Sequence, residues 1–290
     1  MTATVAAGAV EVVYGTARVL NSTFFGNVAM SHGGGFLAYG SKVDVVGCVF
    51  SGNYAAGNGG GAAAYLAGGF TIADSAFEGN YAAGHGGATI GYYADVDVSD
   101  STYARNDADG WGAAHVAWWG SVAAFRVAVT DHAVSVGYSI WAAYDVAPAA
   151  TFEDCYFARN AQTNDDRGGA PIQLLLSGGS LAGVVFEDNY APQAGALLAG
   201  GLSEDVDAVD VFNCTVRGGV AHASAYGSAG GFFFDVSLDV VVADTVVDGC
   251  ATYAGAGAIS VATGDHQGRK RERNSQLWRL ISRPFPTRFG

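Results

Sequence analysis

Residues 53–62 read NYAAGNGGGA and residues 80–89 read NYAAGHGGAT, identical at seven of ten positions and 27 residues apart. Other copies share its frame. A Phe followed three residues later by Asn occurs at Phe24/Asn27, Phe50/Asn53, Phe77/Asn80, Phe157/Asn160 and Phe186/Asn189, with Tyr103/Asn106 as a near copy. Val129/His132, Val216/Gly219 and Val247/Cys250 fill the same slot in degenerate form. A glycine step follows each slot, from Gly34, Gly60, Gly86 and Gly112 to Gly230 and Gly257, with Gly8 ahead of the series and a period near 26 residues. A sustained period of 20–50 residues means a solenoid, because each unit hides its apolar face only against its neighbours.

Strands rather than helices fill the unit. Two and four residues beyond most glycine steps the chain is apolar or small, as at Val10/Val12, Phe36/Ala38 and Phe232/Phe234, which is the period of a strand. A second alternating piece precedes each Phe slot, as in KVDVVGCVF at 42–50. The 43 glycines against 5 prolines suit many short turns. The expectation is an all-β, right-handed parallel β-helix of about nine to ten coils over residues 1–264, each coil holding two or three short strands. Within it the Phe stacks inward on the Phe of the next coil. The residue two before it (Cys48, Ser75, Ser101, Cys155, Cys214) is small and inward, the residue three before it (Gly47, Asp74, Asp100, Asp154) is a turn, and the Asn slots form an amide ladder.

The paired motifs, FFGN, FSGN, FEGN, FARN and FEDN with GGGF, GGGA, GGAT, GGAP and GGFF, resemble the repeats of the polymorphic outer membrane protein family over roughly residues 1–262. The resemblance implies a right-handed, pectin-lyase-like parallel β-helix that is secreted or displayed at a cell surface and acts largely in adhesion. The chain shows neither the membrane β-barrel that ends such proteins nor a signal peptide. Its first glycine step already stands at Gly8, which points to a missing N-terminal cap or a fragment of a longer protein.

The formal charge of −13 is uneven. Residues 265–290 hold seven of the 14 Lys/Arg and form a basic tail, expected to be disordered, a short helical cap or non-native; residues 1–264 carry about −18. So acidic a body repels nucleic acid and anionic membrane. No apolar run reaches the ~18 residues of a membrane-spanning helix.

The candidate chemistry is thin. Cys155 and Cys214 stand two coils apart, too far for a disulfide, and His32 and His85 stand two coils apart with Asn58 between, too far to share zinc. Asp74 and Asp100 fall about 5 Å apart in one turn column, near a retaining glycosidase's spacing, but the column reads as a turn. Asp165 and Asp166, in a longer turn, are the weak calcium candidates; no cofactor is expected. Tyr14, Tyr39, Tyr65, Tyr92, Trp118 and Tyr144 recur at spacings of 25 to 27 and form an aromatic stripe about 24 Å long. It is either a ladder that packs a corner or a platform for a surface glycan or protein. The neighbouring outward slot, read as Glu11, Leu37, Ala63, Thr89, His115, Ile140, Pro171, Leu198, Phe233 and Ser260, holds one charge in ten and implies a hidden or partner-covered face. The function expected is a non-enzymatic secreted or cell-surface binding module. A pectate-lyase-like carbohydrate enzyme and a structural spacer are the alternatives.

Overall fold

The computed structural model describes residues 7–146, 149–164, 169–200, 208–222, 228–235, 239–253 and 255–262. These form a β-solenoid in which every strand pairing is parallel. Each coil contributes one strand to each of four walls. One coil runs Phe36–Tyr39, Lys42–Val46, Val49–Ser51 and Tyr54–Ala55. The first wall is a ten-stranded sheet, the second and third are nine-stranded, and the fourth is a narrow wall in two pieces of four and five strands. Four strands per coil exceed the two or three expected, because the fourth is two residues long and shows no alternation to detect.

Each coil turns where a residue adopts left-handed backbone, with φ between +47° and +69°. Behind the second wall these are Asn21, Gly47, Asp74, Asp100, Arg126 and Asp154; behind the third, Gly52, Gly79, Arg105, Asp131, Arg159 and Asp188; ahead of the first, Gly33, Gly59, Gly86 and Gly112. Gly, Asn and Asp tolerate this conformation best, which explains the composition of the turn slots. The corner behind the first wall is different. Gly40 takes it in one coil, but Tyr14, Leu66, Tyr93, Trp119, Asp145 and Leu176 take it in others.

The interior is built from columns. Phe24, Phe50 and Phe77 stack with centroids 4.5 and 4.7 Å apart and planes within 4°, and Tyr103 continues the stack at 4.9 Å. Phe157 and Phe186 resume it beyond Val129. Beside them runs the Asn ladder. Asn53 Nδ2 donates to Phe24 O (2.9 Å) and to Asn80 Oδ1 (2.9 Å), which also accepts Asn53 N–H (3.1 Å). Asn80 and Asn160 repeat the scheme in full, Asn27 joins it at Asn53 Oδ1, Asn106 and Asn189 donate to Phe77 O and Phe157 O, and His132 bridges Asn106 and Asn160. A buried amide thus meets its donors and acceptors through the coils on either side.

The outward slot of the first wall differs from its reading. Thr89 and His115 point inward, paired in register with Ala62, Trp141 and each other, and their side chains meet at Oγ1–Nδ1 2.7 Å in the core. Ile90, Val116, Ala142 and Gln173 take the outward places. The glycine series stands one residue away from its expected register: Gly86 and Gly112 are equivalent to Gly33 and Gly59, not to Gly34 and Gly60. The outward column is covered by the chain itself. Leu37, Ala63, Ile90, Val116 and Ala142 are fully buried beneath Tyr65, Trp111 and Trp118. A Cβ added at Gly33, Gly59 or Gly86 would meet the Cβ of Leu37, Ala63 or Ile90 at 2.9, 2.7 and 2.9 Å, so these corner glycines lie directly on that column.

Candidate functional site

Tyr39, Tyr65, Tyr92, Trp118 and Tyr144 end successive strands of the first wall in strict register, half-buried, and the row ends at Leu175. Tyr14 does not belong to it. Val13 pairs with Tyr39, and Tyr14 stands one residue later, at the left-handed corner. Its ring packs edge-on against Tyr39 at 5.7 Å, in the space that Gly40 leaves open. Tyr14 therefore heads a second, outer row whose next members are Gly40, Leu66, Tyr93, Trp119 and Asp145. Tyr14, Leu66, Tyr93 and Trp119 are exposed.

The two rows converge around Trp119. Tyr93 stacks on it at 5.0 Å with planes 16° apart, and Tyr92 meets it at 5.2 Å nearly at right angles. In the next coil the outer row holds Asp145, whose Oδ2 accepts the Trp119 indole N–H at 2.9 Å. Because Asp145 is small, no ring continues the stack. A depression of about 200 Å³ opens there, lined by Trp111, Trp118, Trp119 and Tyr144. Trp118–Trp119, Trp118–Tyr144 and Trp119–Tyr144 centroids lie 6.0, 6.4 and 6.2 Å apart with planes at 54°, 73° and 81°. Trp111 comes from the segment that folds over the first wall and is held by stacking on Tyr138 at 4.7 Å. Trp118 Nε1 is shielded from solvent and has no hydrogen-bond partner.

That covering segment has its own ladder. His32 Nδ1 accepts Asn58 N–H (3.0 Å), Asn58 Oδ1 accepts His85 N–H (2.9 Å), and His85 Nδ1 accepts Trp111 N–H (2.9 Å). His85 packs on Trp118 at 4.6 Å, and Asn58 Nδ2 donates to Tyr65 Oη at 2.8 Å. Burial holds both imidazoles below the ordinary histidine range, and burial is also what raises the Tyr65 hydroxyl to about 12. The histidines thus fix the segment that carries Trp111.

The other candidates do not converge with this site. Asp74 and Asp100 share the corner behind the second wall, where Arg126 grips both oxygens of Asp100 at 2.6 and 2.7 Å. That contact holds the Asp100 carboxyl below the usual range. Asp131 is held the same way by Arg159. Cys48, Cys155 and Cys214 are free and buried, and burial raises the Cys155 and Cys214 thiols to about 11. Among the described residues no three His, Cys, Asp or Glu side chains gather as a metal site, and no helix is long and apolar enough to cross a membrane. Asp165, Asp166 and the tail at 265–290 lie outside the described residues. Trp111 and Trp119 lie outside the row of Tyr39 to Tyr144, in two neighbouring columns of the same period whose residue types vary from coil to coil. The doublets Tyr92-Tyr93 and Trp118-Trp119, themselves 26 residues apart, were the available signal.

Compared with known proteins, the chain matches no family model, no curated protein and no solved structure.

Proposed function

We propose that the chain is a non-enzymatic binding module, secreted or displayed at a cell surface, that holds its ligand through the aromatic patch around Trp119. The observation that carries this reading is that the corner behind the first wall places bulky apolar residues in left-handed backbone, where the other corners carry Gly, Asn, Asp or Arg. Bulky residues in left-handed backbone cost of order 1–3 kcal/mol each, and such strain clusters at functional sites. Leu66, Tyr93 and Trp119 occupy that conformation where Gly40 shows that glycine suffices. The return is an exposed row of rings beside a pocket, which a purely structural spacer does not need. The repeat motifs support the surface setting, and successive coils along the row would sum weak contacts. Two corner carboxylates, Asp100 and Asp131, are engaged by arginines of the adjacent coil, which favours scaffolding over an enzyme.

The test is retention of the purified protein on immobilised polysaccharides and extracellular proteins, compared with the double variant Tyr93→Gly/Trp119→Gly. Glycine fits this corner, so the variant keeps the fold. Retention that the variant weakens at least ~10-fold is expected, the typical effect of losing aromatic anchors that a bound partner covers. Equal retention of both proteins overturns the reading, as does no retention anywhere on the panel.

A further inference from the structure

The pocket's shape and electrostatics allow its ligand to be named by chemistry; this step rests on the binding-module reading above. We propose that the depression between Trp111, Trp118, Trp119 and Tyr144 binds a quaternary ammonium group of the choline type.

The first argument is shape. A flat sugar ring stacks on a single exposed ring face. Here three rings stand at 54° to 81° to one another with centroids 6.0 to 6.4 Å apart, so the walls enclose a corner rather than present a plate. A point in that corner can lie within ~6 Å of all three centroids, the range over which an aromatic face attracts a cation. The volume of about 200 Å³ falls below the ~300 Å³ at which pockets begin to take drug-sized molecules, and suits one compact, roughly spherical group.

The second argument is charge. Asp145 accepts the Trp119 indole N–H, so its carboxylate stands at the edge of one lining ring and next in sequence to another, Tyr144, at the point where the rings of the outer row stop. The chain as a whole carries −13, which draws cations toward a site of this kind.

The third argument concerns which cation. Every lining side chain is aromatic, and the one carboxylate placed beside them, Asp145, already accepts the Trp119 indole N–H, so little there replaces the water that a primary ammonium or a guanidinium must shed. A quaternary ammonium has no N–H to satisfy and presents only methyl groups. It keeps the attraction to the rings and to Asp145 without that penalty.

The experiment is a titration of the whole protein with tetramethylammonium chloride and with choline chloride, at constant ionic strength, followed by tryptophan fluorescence and calorimetry. The neutral isostere 3,3-dimethylbutan-1-ol, methyl glucoside and cello-oligosaccharides serve as comparators. Saturable binding of choline is expected, at least ~10-fold tighter than the isostere. Trp119→Gly should abolish it and Asp145→Asn should weaken it several-fold, both with unchanged far-ultraviolet dichroism and unfolding midpoint. Equal binding of choline and the isostere overturns the proposal, because charge then plays no part. Sugar binding without choline binding overturns it too but leaves the binding-module reading standing. Failure of choline here, together with no retention on the polysaccharide and protein panel, removes both.

Discussion

The Asn ladder and the aromatic row run side by side along one solenoid, and they treat repetition in opposite ways. In the ladder each amide depends on finding the same amide one coil away, so Asn27, Asn53, Asn80 and Asn106 succeed one another without change. His132, which interrupts the column, keeps contact with both neighbours, and the amides stop at Asn189, where Gly219 and Cys250 follow. In the aromatic row the neighbours constrain less, since each ring is partly in solvent. There the identities drift from Tyr to Trp to Asp, and the pocket lies where the drift interrupts the stack. Regularity satisfies polar groups in the interior; the break in regularity creates room at the surface.

The comparison can be broken most severely from the inside. Phe77→Ala removes a ring stacked on both sides and should cost about 3–5 kcal/mol, read as a fall in the urea midpoint. Asn80→Ala is next. It deletes donors to Phe50 O and Asn106 Oδ1 and strands the Asn53 N–H and amide, for a loss of about 3 kcal/mol by the same measurement.

Acid should then separate the two structures. Burial lowers His132 to about 4 and His115 to about 3 from 6.5. Groups held below their unfolded value contribute stability that is complete above pH 6.5 and is lost as pH falls from there toward the folded values. His132 alone accounts for up to about 3 kcal/mol between pH 6.5 and 4. Denaturation midpoints across that range should fall steeply, and His132→Asn, which restores the ladder, should flatten part of the slope.

The outer row should be far more tolerant. Trp119→Gly loses partly exposed packing but relieves a left-handed tryptophan, so stability should change by less than about 1 kcal/mol in urea denaturation. The smallest effect should come from Arg126→Ala. Its exposed pair with Asp100 should be worth no more than about 0.5–1 kcal/mol, and less in high salt. Leu37→Lys belongs with the interior despite pointing outward, because its column lies beneath the covering segment.

This contrast also explains what the sequence disclosed. The Phe and Asn slots were legible because the physics that requires them acts identically in every coil. The glycine step was legible only to within a residue. Adjacent glycines such as Gly59, Gly60 and Gly61 fit the corner almost equally well on paper, and only the backbone shows that Gly59, with φ at +69°, makes the turn. That one-residue error placed Thr89 and His115 outside. Tyr14 was misplaced because a spacing of 25 looked like a member of the row. The pocket was least legible. Trp111 and Trp119 each keep the period, in the column of His32, Asn58 and His85 and in the row of Leu66 and Tyr93, but residue type changes from coil to coil there, so spacing alone marks neither as part of a site.

The matching of each coil to the next has a consequence for how such a chain can change over generations. Since the Phe and Asn columns meet any neighbour in the same way, one whole coil can be lost or duplicated by recombination and the remaining columns close up in register. Length is then inherited in steps of a coil. A pocket that depends on Trp111, Trp119 and Asp145 lying in successive coils, however, survives only those exchanges that fall outside its borders.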